Sequence, residues 1–303
     1  MQSKSKWIYR IVSIVLAIIL IVSCGYSFIY KEGLWYRLFH PIYHIADVWN
    51  NIGMKDKLDE SENLPESAMS WTRENDYVAH GCGEIEGYTV TNTREAFLSS
   101  YGKGARVFEV DLEITSDGKV VCTHDWGMFS EETGVVGVPS LAEFKDAKVY
   151  EKYHTLDIVA LFDLLNTHKD AWVIFDKIDS NERADMMIPG IIEAAEQFPD
   201  VLDQCSVQFF DIDSYEHIDG LHHFEHYVYT SYRHATYDFE YMGVFCLDKG
   251  IEAMVINDDY VTDEQITEMA AKGVKVYVFT VNTRQRAEEI IGRGGGVYTD
   301  FLG

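Results

Sequence analysis

The residues with the most chemical content lie in one run, Phe108-Glu-Val-Asp-Leu-Glu-Ile-Thr-Ser-Asp-Gly-Lys-Val-Val-Cys-Thr-His-Asp125. Side chains on a strand alternate faces, so Glu109 and Asp111 point the same way. Asp117-Gly118 is a two-residue hairpin signal. A chain folded back there pairs residues whose numbers sum to 235 and sets His124 opposite Asp111; a slightly longer turn sets it opposite Glu109. Either register brings an imidazole beside two convergent carboxylates. A further histidine, His80, lies upstream in a glycine-rich loop. Carboxylates converging with imidazoles are the residue types of proton transfer and of hard-cation binding.

The elements that must position these groups alternate between short apolar runs and helix-like segments from Tyr77 onward. The runs end near His80, Asp111, Asp176, Phe210, Ser231, Asn257, Val281 and Asp300. Helices are predicted over Arg94–Tyr101, Leu156–Leu165, Glu182–Gln197, Asp213–Ile218, Thr262–Lys272 and Arg284–Ile291, with Tyr241–Lys249 unassigned. This alternation predicts an α/β fold, a single (β/α)₈ TIM barrel over residues 76–303; a doubly wound open sheet is the rival. In a barrel the site sits at the C-terminal ends of the strands. The carboxylates and His80 fall at such ends.

Ahead of the barrel, Ile11 to Tyr30 is an uncharged, largely aliphatic run preceded by Lys4, Lys6 and Arg10. Twenty residues at about 1.5 Å each span roughly 30 Å, the hydrocarbon thickness of a bilayer. Residues 1–31 therefore read as a cytoplasmic tip and transmembrane helix, with the rest of the chain outside the cell membrane. An uncleaved anchor is favoured over lipoprotein processing at Cys24. Residues 32–75 read as a membrane-proximal stem, its aromatic stretch to Trp49 suited equally to an interfacial helix and to packing on the globular domain. His40 and His44 have no acidic partner and are assigned no metal. The net charge of −25 argues against nucleic acid as a partner. Five cysteines make no disulfide framework, and Cys82 and Cys122 are expected as reduced, half-buried thiols.

The chain from Ala79 to Leu302 resembles the glycerophosphodiester phosphodiesterase family, among the phosphatidylinositol phospholipase C-like barrels. The resemblance rests on Ala79-His-Gly-Cys-Gly, Thr91-Asn-Thr-Arg-Glu-Ala-Phe97 and above all the Glu109-Val-Asp to Thr-His-Asp125 block. It continues through Ser140-Leu-Ala-Glu-Phe144, Tyr153-His-Thr-Leu156, Thr280-Val-Asn282 and Tyr298-Thr-Asp300. It implies a metal-dependent phosphodiesterase acting on glycerophosphodiesters or glycerophospholipids at a lipid bilayer. His80 and His124 match the family's acid/base pair, Glu109 and Asp111 match two metal ligands, and Asp176 matches the third. Three carboxylates suit a hard divalent ion, Mg²⁺ or Ca²⁺.

Three positions depart from the family pattern. Gly81 stands where the family has an arginine that grips phosphate. The third carboxylate is Asp176 rather than Glu, and Lys177 is adjacent to it rather than two residues on, so its side chain is expected on the opposite face. Thr91 replaces a glutamate. Lys177 and Arg233 are the candidates for the phosphate-binding cation. The alternatives are a phospholipase D- or C-like enzyme on intact lipids and a catalytically impaired barrel used for binding. Asn92 is expected as a helix N-cap with Glu95 completing a capping box. Asp125 either orients its neighbours or caps a loop. Thr280, Asn282 and Asp300 could line the barrel mouth, with structural roles favoured, and His222, His223 and His226 are expected to lie in a solvated loop.

Overall fold

Strands buried on both faces read as continuous apolar runs, and eight such runs pair in parallel here. In chain order they are β1 (Tyr77–Ala79), β2 (Val107–Ile114), β3 (Trp172–Asp176) and β4 (Cys205–Phe209). β5 (His226–Thr230), β6 (Ala253–Asn257), β7 (Lys275–Phe279) and β8 (Gly296–Thr299) follow. Each pairs with its sequence neighbour, and β8 pairs with β1 to close the ring. The result is an eight-stranded parallel barrel with helices, and the closure excludes an open sheet. The computed structural model describes residues 53–66, 71–231 and 239–302. The apolar run 11–30, the aromatic stem stretch and Arg233 lie outside the described residues. Among the described residues no helix is long and apolar enough to cross a membrane. Residues 55–303 form one unit; residues 1–54 form another, of which Gly53 and Met54 are described.

The pleat divides side chains between two cores. Val78, Val107, Ile174, Val228, Val255, Tyr277 and Tyr298 fill the barrel interior. Their neighbours, Phe108, Val110, Phe175, Val207 and Phe209 among them, pack outward under the helices. Gly296 is required inside: a Cβ there would lie 2.4 Å from Tyr277 Cε1, so the missing side chain makes room for the ring. Trp71 closes the N-terminal end of the barrel, stacked on Tyr277 with ring centroids 5.7 Å apart. Its indole donates to the buried Glu252 at 2.7 Å, and Glu252 also holds His226 Nδ1 at 2.6 Å. His226 is thus the first residue of β5 and part of this plug, not a solvated loop residue. His223 is exposed and pairs with Asp219.

Six helices stand where the periodicity predicts them, from Arg94–Lys103 to Arg284–Ile291. The unassigned stretch forms a seventh, Phe239–Lys249. The excursion between β2 and β3 holds two short helices the periodicity does not show, Trp126–Thr133 and Leu141–Asp146. Their ends are fixed by capping, at Asp125 and by a Ser140/Glu143 capping box, more than by an amphipathic stripe.

Candidate active site

Parallel register sets Asp111 directly beside Asp176 and Glu109 beside Ile174. Both β2 carboxylates face the barrel interior at its C-terminal mouth and are only 2% exposed. One oxygen from each of Glu109, Asp111 and Asp176 lies within 4.8 Å of the others. Like charges paired across strands and out of water are costly. Burial and the charge of Asp111 accordingly hold Glu109 well above the ordinary carboxylate range, against the opposing pull of His80 and the Gly81 N–H. Burial and Asp111 likewise push Asp176 up to about 6. A compact, all-oxygen, mutually repelling set is what a hard divalent cation relieves, so these residues fit that group.

The hairpin register differs from expectation. Leu112 pairs with Cys122 and Ile114 with Val120, a sum of 234, and Thr123 rather than His124 meets Asp111. The turn holds three residues, Ser116 to Gly118, with Gly118 left-handed (φ 75°) and Thr115 bonded to Lys119 across it. His124 lies past the strand end, where strand parity no longer places it. Its Nδ1 is 2.8 Å from Asp125 Oδ2, while Asp125 Oδ1 accepts from Met128 N and caps the following helix. Asp125 therefore fills both roles foreseen for it.

His80 is built the same way from the other side of the ring. Its Nδ1 is 2.8 Å from Asp300 Oδ1, and Asp300 Oδ2 accepts from Asn282 Nδ2 at 2.6 Å. Asn282 Oδ1 in turn accepts from Asp300 N and Thr299 Oγ1. Asn282 and Asp300, expected to be merely structural, hold the histidine. Burial works to lower the His80 pKa, but the Asp300 bond and the charges of Glu109 and Asp111 outweigh it and raise it to about 9. In both histidines the aspartate takes Nδ1, which leaves Nε2 for the mouth.

Lys177 does not point away. It is left-handed at φ 68°, so the chain swings back as β3 ends, and its Nζ lies 3.4 Å from His124 Nε2 and 3.8 Å from Asp111 Oδ1. Arg183 fixes that turn, donating from Nε to Lys177 O at 2.6 Å and from an Nη to Leu112 O at 2.8 Å. Gly81 could not carry the family's arginine in this backbone. It is left-handed at φ 53°, and a Cβ would lie 2.5 Å from Val90 Cα. Asn92 is not the N-cap; Thr93 is, accepting from Ala96 N. Asn92 instead brackets Asp111, donating to Oδ2 at 2.9 Å and accepting from its backbone N–H at 3.0 Å. Glu95 accepts from His154 rather than closing a capping box.

His80, Glu109 and Asp176 are among the residues that line an open cleft of about 310 Å³, its open side counted. Gln208, Thr230, Val255, Phe279 and Tyr298 line the rest, with Gln208 Nε2 donating to Asp176 Oδ1 at 2.8 Å. Cys82 and Cys122 are free, fully buried thiols whose pKa burial holds well above the ordinary value, so neither is poised as a nucleophile.

Residues 85–303 match the glycerophosphoryl diester phosphodiesterase family. A relative from Bacillus subtilis (strain 168), the uncharacterized protein YqiK, is 27% identical over 221 residues, 69% of this chain and 89% of its own. Among solved structures, one assigned as a glycerophosphoryl diester phosphodiesterase from Silicibacter pomeroyi DSS-3 has a TM-score of 0.63 at 18% identity, covering 78% of this chain and 95% of its own. The Oleispira antarctica phosphodiesterase OLEI02445, solved with the product sn-glycerol-3-phosphate, has a TM-score of 0.60 at 18% identity, covering 78% and 94%. The glycerophosphodiester phosphodiesterase of Thermotoga maritima has a TM-score of 0.54 at 21% identity, covering 75% and 95%. At these identities the structures share the barrel; the family match over most of the chain goes further. The chain belongs to the glycerophosphoryl diester phosphodiesterase family and is a phosphoric diester hydrolase of that kind.

Proposed function

We propose that the chain is a membrane-anchored, outward-facing, metal-dependent phosphodiesterase. It hydrolyses glycerophosphodiesters, or glycerophosphate headgroups of lipids and polymers, by two-histidine acid/base catalysis. One observation carries the reading: two histidines, each held at Nδ1 by an aspartate 2.8 Å away, stand at the barrel mouth that holds two buried carboxylates and a half-buried third. The product bound by the Oleispira phosphodiesterase, sn-glycerol-3-phosphate, supports the substrate class. Residues 1–31 would anchor the chain and residues 32–75 would hold the barrel at the lipid surface, raising the local concentration of such substrates.

Glu109, Asp111 and Asp176 would hold Mg²⁺ or Ca²⁺, which supplies charge neutralisation at the non-bridging phosphate oxygens. The Lys177 ammonium faces His124 Nε2 at 3.4 Å, while His80 is the histidine that Asp300 and the nearby carboxylates hold protonated. His124 is then the base that takes the proton of the attacking hydroxyl as the new P–O bond forms. His80 is the acid: its imidazolium, stabilised by Asp300, gives a proton to the alkoxide that leaves as the other P–O bond breaks. Lys177 also serves as the phosphate cation missing from position 81. Its place at the mouth weakens the reading of a barrel without catalysis, which rested on the absence of such a group. Arg233 remains a second candidate for that contact.

The test uses the full-length protein in detergent with glycerophosphocholine, glycerophosphoglycerol and lysolipids, each with Mg²⁺, Ca²⁺ or chelator. Hydrolysis of the glycerophosphodiesters is expected to need the metal and to fall about 10²–10⁴-fold in His124→Ala and His80→Ala. Turnover that survives chelator and both substitutions sinks the mechanism, and preference for lysolipids moves the substrate to intact lipid. Recovery in the membrane fraction, with cleavage by protease added outside intact cells, tests the anchor and its orientation.

A further inference from the structure

The parallel ladder between β2 and β3 ends at the pair Asp111 and Asp176. Beyond it the strands part: Leu112 pairs with Cys122 of the hairpin strand, and Lys177 turns left-handed at φ 68°. Arg183 ties these two residues together. Its Nε donates to Lys177 O at 2.6 Å and an Nη donates to Leu112 O at 2.8 Å. A planar guanidinium, its donors set in a fixed fork, thus stands where the next rung of the ladder would be. Glu113 at 3.3 Å and Asp179 at 3.6 Å hold the half-buried fork from the sides.

Two local preferences are overridden to build this clamp. A lysine adopts the left-handed conformation at a cost, and it stays there only where the surroundings fix it. Arg183 itself lies in the first turn of the helix Asn181–Ala195, its N–H bonded to the Ser180 cap, at the end where the helix dipole opposes a cation. An acidic residue would suit the helix better. What the arginine gains instead lies in the turn, where it fixes the carbonyl of Lys177 and so the direction in which that side chain leaves the backbone. In extended backbone, strand alternation would send Lys177 to the face opposite Asp176. Turned as it is, its Nζ lies 3.8 Å from Asp111 Oδ1 and 3.4 Å from His124 Nε2.

We propose that Arg183 is a positioning residue for phosphate binding: it holds Lys177 over the barrel mouth without touching the substrate itself. This rests on the functional reading above, in which Lys177 is the cation that meets the phosphate.

The test is a double-mutant cycle read by binding rather than by turnover. Affinity for sn-glycerol 3-phosphate is measured by calorimetry on the full-length protein in detergent, with saturating Mg²⁺ or Ca²⁺, for Arg183→Gln, Lys177→Gln and the double variant. Loss of a charged contact should make Lys177→Gln bind about 10–100-fold more weakly, and loss of its clamp should weaken Arg183→Gln by about tenfold. The double variant should bind within about twofold of Lys177→Gln, because the clamp has nothing left to aim once the ammonium is gone. An arginine that only supports the fold weakens the site without regard to Lys177, so the two losses multiply; that result overturns the proposal, as does native affinity in Arg183→Gln. Should the glutamine variant fail to fold, Arg183→Lys keeps the charge and lacks the planar fork. It should lose affinity beside Lys177 and lose none beside Lys177→Gln; independent losses again overturn the proposal. Native affinity in Lys177→Gln removes Lys177 as the phosphate cation, and the proposal falls with that reading. The non-additive pattern in a protein that hydrolyses no glycerophosphodiester removes the activity and supports the clamp.

Discussion

Asp300 is 220 positions from His80 along the chain and 2.8 Å from it in the folded protein. That contact governs His80, the proposed proton carrier, more than anything in the local sequence around it. Burial alone would lower the histidine's pKa; Asp300, Glu109 and Asp111 reverse the sign and bring it to about 9. A bound cation takes back part of the share due to the two metal-site carboxylates and leaves that of Asp300. A histidine raised in this way contributes stability that is whole below about pH 6.5 and is lost as pH climbs through about 9. Asp300→Asn should therefore pull the alkaline limb of kcat/KM down by on the order of one pH unit. It should also cost about 10–100-fold in kcat/KM as the ring loses its orientation. A pH–rate profile that keeps its alkaline limb in the variant would show that Asp300 is only a structural prop. Glu109, Asp111, His80 and His124 were readable in the sequence because each sits in a dense local motif. Asp300, Asn282 and Asn92 were not, because their roles depend on which strands become neighbours when the barrel closes. Asn92 has the residue type and spacing of a helix cap, and Thr93, one place later, takes that part.

At the scale of elements, the strand ends were legible and the joints were not. Seven of the eight apolar runs were expected to stop within two residues of the observed ends; β2 continues to Ile114 because it also pairs with the hairpin strand Val120–Cys122. The hairpin itself slipped by one residue, since a left-handed Gly118 serves a three-residue turn as well as a two-residue one. Lys177 escaped strand parity for a related reason: a single left-handed residue re-aims the side chain, and no sequence pattern announces it. The same logic explains the glycine after the first histidine. Gly81 combines φ 53° with a backbone neighbour 2.5 Å from where a Cβ would stand, so the β1 loop closes onto Val90 only with glycine there. Gly81→Ala should cost about 2–5 kcal/mol from the left-handed conformation and the overlap together. Gly81→Arg, which restores the family's residue, should be at least as unstable and should gain no kcat/KM. Thermal melts and kinetics on both variants check this; an arginine variant as stable as native and more active would show that the loop adapts and that Lys177 does not replace the arginine.

Across the whole molecule the barrel separates stability from chemistry along its axis. The N-terminal end is plugged by Trp71, Tyr277 and the Glu252–His226 pair. The C-terminal end stores repulsion among Glu109, Asp111 and Asp176. Carboxylates whose folded pKa is raised favour the fold below their unfolded value, near 4, and that contribution is lost as pH rises through the folded value, about 6 for Asp176 and well above the ordinary carboxylate range for Glu109. The metal-free protein should thus lose stability between about pH 4 and 7 through this site. A divalent ion held at this proposed site would reverse the sign, because it would bind the deprotonated oxygens and only in the folded chain. At 100 times its dissociation constant it adds about 2.7 kcal/mol, or about 5–10 °C in melting temperature for a domain of this size. The gain from a fixed concentration of Mg²⁺ or Ca²⁺ should be large at pH 8 and small at pH 5, where protons compete for the same oxygens. Asp111→Asn should abolish the gain while melting higher than native without metal, since it removes the charge that Glu109 and Asp176 both oppose. Melting curves at the two pH values, with and without the ion, decide it. A metal-induced gain that is independent of pH, or that survives Asp111→Asn, would place the ion elsewhere on this acidic chain.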